Sequence, residues 1–146
     1  MQDIITKEII VKANKERVYA VITDPTQIIS WFPDKVEGTL EVGQRTTLIF
    51  SEENHRSEIY VEAATLYTYF SYRWVPGGKG NEGVDVLTVP NTLVEFFIEE
   101  QEGGTKVTVK ESGFTSLPPE VVEQSFNQNS GGWVYMIGRL ENVMNQ

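Results

Sequence analysis

A chain of 146 residues with 40% apolar and 23% charged side chains has the composition of a folded domain, and at that length one core buries about two-thirds of the unfolded surface. Acidic residues outnumber basic ones 21 to 12, and the resulting field, from a formal net charge of -9, repels nucleic-acid backbones and anionic membrane surfaces. There is no cysteine, which excludes disulfides, thiolate catalysis and thiolate metal sites, and the lone histidine, His55, is too few for a zinc site.

The N-terminal stretch Met1 to Ile10 alternates polar with apolar residues and lacks the basic and then apolar order of a secretion signal. No run of about 18 apolar residues is present to span a bilayer. The expectation is one cytoplasmic domain over residues 1–146, with no cofactor, no metal and no nucleic-acid or membrane partner.

Ile5, Lys7, Ile9 and Val11 interleave with Thr6, Glu8, Ile10 and Lys12 in a first strand covered on one face. Asn14 is an N-cap for a short helix over 15–23, with Glu16 in its first turn and Val18, Val21 and Ile22 at helical spacing. Asp24-Pro25 restarts a second helical turn, which ends in Trp31-Phe32 and is stopped by Pro33.

From Val36 to Ser112 the period is mostly two, giving an antiparallel meander with strands near 36–41, 44–51, 56–63, 66–75, 92–100 and 105–112. Gly103-Gly104 marks a hairpin. His55 reads as a turn or strand-edge residue. The segment Pro76 to Gly83 holds four glycines and reads as a flexible loop at one end of the sheet. Its GGKG run lacks the spacing and the following Ser or Thr of a phosphate cradle.

Pro118-Pro119-Glu120 opens the last element. Val122, Phe126, Asn129, Trp133, Met136, Ile137, Leu140, Val143 and Met144 then recur every three or four residues, a long helix over 119–144 with one buried face. Gly131 and Gly132 interrupt it, either as a weak point or kink, or to let the sheet or a ligand approach closely.

The inward strand faces carry the chemistry. Phe70, Tyr72 and Trp74 share one face, Val94, Phe96 and Ile98 a second, and Val107, Val109 and Glu111 a third. With Phe50, Phe126, Trp133 and Ile137 these form an aromatic-rich surface that fits either ordinary core packing or the wall of a cavity. The candidate cavity residues are Phe50, Phe70, Tyr72, Trp74, Phe96, Val109, Glu111, Phe126, Trp133 and Ile137. A carboxylate at Glu111, beside two valines, either is buried and has to be paired, protonated or near water, or sits at the strand end in solvent.

Ile9-Ile10-Val11-Lys12-Ala13 followed by Glu16-Arg17-Val18-Tyr19, then Thr23-Asp24-Pro25 with Trp31-Phe32, resembles the opening of the START-like (SRPBCC) superfamily. Phe70 to Trp74, the hairpin Gly103 to Val109, Ser112-Gly113-Phe114 and Gly132-Trp133 through Leu140 follow in the order of one member family, that of the activator of the heat-shock protein 90 ATPase, C-terminal domain. The resemblance implies an α+β helix-grip fold: a strand, two short helices, a curved antiparallel sheet and a long C-terminal helix around an internal cavity. In the superfamily that cavity takes lipids, polyketides, flavonoids or other apolar molecules. The named co-chaperone has a further N-terminal domain for which this chain has no room, so the family name is not read as the function.

The leading expectation is therefore binding of a small hydrophobic ligand between sheet and helix, in a stress-related role. The alternative is a protein-interaction module acting on a chaperone of the heat-shock protein 90 type, with an exposed Trp31-Phe32 patch and the acidic surface as its hints. A third reading, a cyclase, aromatase or hydrolase using Glu111, Tyr72 and Arg73, has no nucleophile and base pair behind it, and no catalytic residue is assigned.

Overall fold

The computed structural model describes residues 3–52, 55–76, 81 and 83–146. Seven strands, β1 (Ile4–Val11), β2 (Lys35–Glu37), β3 (Arg45–Phe50), β4 (His55–Thr65), β5 (Tyr69–Trp74), β6 (Thr92–Gln101) and β7 (Gly104–Ser112), form one sheet in the order β1-β7-β6-β5-β4-β3-β2. Every neighbouring pair is antiparallel. The sheet is an up-and-down meander whose first strand crosses back to lie beside the last. In β4 the register slips between Val61 and Ala63, a bulge that bends and twists the sheet locally.

Helix α1 (Lys15–Thr23) begins where expected because the Asn14 side chain accepts the Arg17 N–H at 2.8 Å. It buries Val18, Val21 and Ile22, each worth about 1.5–3 kcal/mol relative to leaving it in water. The second helical turn is shorter than the sequence implies, a 3₁₀ turn over Ile28–Ser30. Asp24 organises the approach to it by accepting from the Thr26 N–H and Thr26 hydroxyl, both at 2.8 Å.

Two expected strands are trimmed. The stretch 36–41 pairs only over Lys35–Glu37, and 66–75 begins at Tyr69 because the preceding residues form a turn with Tyr67 at a φ of 67°. The hairpin at Gly103-Gly104 forms, with Gln101 opposite Gly104. Gly104 also has a steric reason to be glycine, since a Cβ there would lie 2.0 Å from the Val11 carbonyl oxygen. The first and seventh strands meet at that point.

Helix α2 (Pro119–Met144) runs unbroken through Gly131 and Gly132. Trp133, Ile137, Leu140 and Met144 turn its buried face to the sheet. Its C-terminal end is tied to the turn after β1, where the Lys12 N–H donates to Asn145 Oδ1 at 2.9 Å. No helix among the described residues is long and apolar enough to cross a membrane.

Trp31 and Phe32 are not a surface patch. They are 0% and 4% exposed, the Trp31 indole N–H donates to the Val21 carbonyl at 2.9 Å, and the two rings stack at 5.0 Å. Two large aromatic side chains following a helical turn are cheaper to bury than to leave in water. Residues 77–80 and 82 of the glycine-rich segment lie outside the described residues. Its described part is anchored by Asn81, whose side chain accepts the Glu58 N–H at 2.8 Å, and by Asp85, which accepts from Arg45 Nε at 3.1 Å.

Candidate functional site

A cavity of about 230 Å³ lies between one end of the sheet and the middle of α2. The sheet side is supplied by Phe50 of β3, His55 and Ser57 of β4, and Trp74 of β5 with the following Val75 and Pro76. The helix side is supplied by Gln128, Asn129, Gly132, Trp133 and Met136, and Phe32 closes the end nearest α1. Helical periodicity explains the second set: positions 129, 132, 133 and 136 lie three and four apart on one face.

The walls are aromatic. Phe32 contacts Trp133 (stacked, 5.4 Å), Phe50 (edge-on, 5.3 Å) and Trp74 (tilted, 5.9 Å), while the Trp74 and Trp133 rings lie 5.8 Å apart. His55 stacks on Phe50 at 5.0 Å. Gly132 faces open space, with no atom within 4 Å of the position a Cβ would take, so its missing side chain leaves room at the rim instead of permitting tight helix-to-sheet packing.

Beneath the two indoles sits Glu111, fully buried at 0% exposure. Its Oε1 accepts from Trp133 Nε1 at 2.8 Å and Asn129 Nδ2 at 2.9 Å. Its Oε2 accepts from Thr92 Oγ1 at 2.6 Å, Trp74 Nε1 at 2.8 Å and Asn129 Nδ2 at 3.0 Å. Indole and amide N–H groups can only donate, so the network suits a carboxylate whose lone pairs are taken. All four partners are neutral. The carboxylate is thus satisfied by hydrogen bonds rather than by an opposing charge, which for a buried acid is the costlier arrangement.

Tyr72, the neighbour of Trp74 on the same face of β5, is fully buried, and its hydroxyl has no hydrogen-bond partner among the described residues. Burial, and secondarily the negative charge of Glu111, push its phenol well above the usual value of 10.0. No group of three or more His, Cys, Asp or Glu side chains among the described residues is arranged to hold a metal ion.

Residues 12–145 match the family model described as "Activator of Hsp90 ATPase homolog 1-like protein". The chain belongs to that family. Among solved structures, DynU16 of the dynemicin biosynthetic locus superposes with a TM-score of 0.76 at 22% identity. The match takes in 97% of this chain and 47% of that one, so this chain spans about half of DynU16. MLL2253 from Mesorhizobium loti gives 0.76 at 19% identity, covering 95% and 94% of the two chains. The Aha1 dimer from Colwellia psychrerythraea gives 0.74 at 17%, covering 99% and 97%. No curated protein matches the chain. At these identities the structures establish the fold alone, a helix grip.

Within this member of the family, Phe50, Trp74 and Trp133 line the cavity, and Glu111 lies behind the two tryptophans. Phe70, Tyr72, Phe96, Val109 and Ile137 are buried in the core that continues from it. Phe126 packs edge-on against Phe114 at 5.2 Å and is not among the residues lining the cavity. Arg73 points to the other face of β5, where it binds Glu62 at 2.6 Å and Asn91 at 3.1 Å.

Sequence reasoning did not assign Phe32, His55, Ser57, Gln128, Asn129 or Met136 to the cavity. Asn129 and Met136 had a usable signal, since they share the buried helical face with Trp133. Phe32 did not, since it follows a turn, whose direction no periodicity encodes; His55 opens β4 on the same face as Ser57, and an expected strand that began at 56 left it out.

Proposed function

We propose that this chain binds a small, largely apolar molecule in the cavity between the sheet and α2, and that it does so as a binding protein rather than an enzyme. The observation that carries this is a cavity of about 230 Å³ walled by four aromatic rings, those of Phe32, Phe50, Trp74 and Trp133. Ligand sites commonly measure about 300–1,000 Å³, so the fit is to one or two fused rings or a short acyl chain rather than to a long-chain lipid. Apolar burial at about 25 cal/mol per Å², less the cost of lost freedom, gives affinities on the order of micromolar.

Two features support binding over catalysis. Glu111 spends its lone pairs on Trp74, Trp133, Asn129 and Thr92, and Arg73 is engaged on the opposite face. Neither is free to exchange a proton with a molecule in the cavity. The chaperone reading draws on the family description and on the Aha1 relative, but the aromatic pair it would use is buried here.

Native mass spectrometry of protein purified without denaturation tests the proposal, with a retained small molecule as the expected result. Calorimetric titration with aromatic and acyl compounds is the second arm. Failure of every compound, together with a mass spectrum of bare protein, overturns it.

A further inference from the structure

The donors around the cavity are distributed unevenly. Trp74 and Trp133 both aim their single N–H at Glu111, so neither indole has a proton left to give a ligand. Asn129 places Nδ2 at 2.9 and 3.0 Å from the two Glu111 oxygens, which fixes its amide orientation because only the NH₂ end can donate to a carboxylate. The planar amide therefore turns Oδ1 away from Glu111. Asn129 lines the cavity, and Oδ1 receives no hydrogen bond among the described residues. What Asn129 offers a ligand is an acceptor.

Charge acts in the same direction. Glu111 is wholly buried and its partners are neutral, so its field reaches the cavity without an opposing charge beside it. No lysine or arginine is among the described residues lining the cavity. The neutral donors Ser57 and Gln128 carry no charge to offset Glu111, and among the described lining residues the titratable one is His55. Indole faces whose N–H is held by a carboxylate are enriched in electron density, which favours a positive or donor-bearing guest.

We propose that the cavity selects a flat aromatic molecule bearing a hydrogen-bond donor and no negative charge, a phenol or an aromatic ammonium, with Asn129 Oδ1 as acceptor and buried Glu111 as the group that repels anions. This rests on the ligand-binding reading above and names the chemical class for that site. Carboxylate-bearing aromatics and fatty acids are excluded guests.

The test is calorimetry of the intact protein with four probes on one scaffold: naphthol, methoxynaphthalene, naphthoate and naphthylmethylammonium. Naphthol and the ammonium should each bind about tenfold or more tightly than naphthoate, and naphthol about fivefold more tightly than methoxynaphthalene, which lacks the donor. Asn129→Leu should abolish the naphthol preference over methoxynaphthalene.

If none of the four binds, the ligand-binding reading itself falls. If naphthoate binds as well as naphthol, anion exclusion is overturned while ligand binding stands. If methoxynaphthalene equals naphthol, or Asn129→Leu keeps the preference, the acceptor assignment is overturned. Should Asn129→Leu fail to fold, the probe series on the unaltered protein still decides both points.

Discussion

Replacing Gly132 by leucine asks whether the room it leaves beside Trp133 is used. No atom lies within 4 Å of its absent Cβ, and the residue is on the cavity rim. In a helix interior leucine is favoured over glycine by about 0.8 kcal/mol, which for a domain of this size raises Tm by about 2–4 °C. An isobutyl group occupies much of a cavity of about 230 Å³. Displacing about 60 Å² of ligand contact at about 25 cal/mol per Å² costs about 1.5 kcal/mol, or tenfold in affinity. Gly131→Leu is the control, because Gly131 also faces open space and does not line the cavity. Both variants should gain in thermal melts followed by circular dichroism, and only Gly132→Leu should lose affinity for the naphthyl probes in calorimetry. A fall in Tm for Gly132→Leu would mean that the helix needs glycine for packing. Equal affinity in both variants would mean that the ligand sits elsewhere.

Glu111→Leu leaves the Trp74, Trp133 and Asn129 donors without their acceptor, and three stranded N–H groups less the relief of an unburied charge should cost about 2–5 kcal/mol in urea unfolding followed by tryptophan emission; an unchanged midpoint would show that the network contributes nothing. Tyr72→Phe deletes a buried hydroxyl with no partner and should leave stability unchanged or raise it by up to about 1 kcal/mol, whereas a loss would reveal a partner such as an enclosed water. The Tyr72 phenol should also fail to ionise in a spectrophotometric alkaline titration until the protein unfolds, its burial holding it well above 10.0. The Asp24 carboxyl is held below its ordinary 3.8, first by the Thr26 N–H and then by the Thr26 hydroxyl. A lowered folded value means that its stabilisation is present above the unfolded value and disappears as pH falls through the folded one. Asp24→Asn should therefore be less stable than the parent at neutral pH and converge with it below that range, and a gap independent of pH would refute the assignment.

The strands and helices were legible where a period repeats. Val18, Val21 and Ile22 locate α1, and the run from Val122 to Met144 locates α2, because burial on one side of a helix imposes a spacing that the sequence must carry. The alternation in β6 and β7 was equally readable, and it placed Glu111 on the same face as Val107 and Val109. What such a pattern cannot carry is where a turn aims a side chain. Trp31 and Phe32 follow a 3₁₀ turn with no repeat of their own, and only the packing of α1 against the sheet turns them inward. The same limit hid Phe32 from the site. Partners of a buried acid are also invisible in one dimension: Trp74, Thr92, Asn129 and Trp133 converge on Glu111 from three different elements.

The crossing of β1 to pair with β7 has a consequence for how the molecule comes into being. Ile5 is opposite Glu111, so partners about a hundred residues apart in the chain must meet before the sheet is complete, and closing so long a loop is entropically costly. Topologies dominated by such distant pairings fold in roughly milliseconds to seconds rather than microseconds. During synthesis the first strand leaves the ribosome long before β7 exists, with Ile5 and Val11, both buried in the finished sheet, still uncovered. The carboxylate at the base of the cavity lies on that last strand, and two of its four partners lie on α2. The cavity can be assembled only after Met136, the furthest along the chain of its described lining residues, has been made.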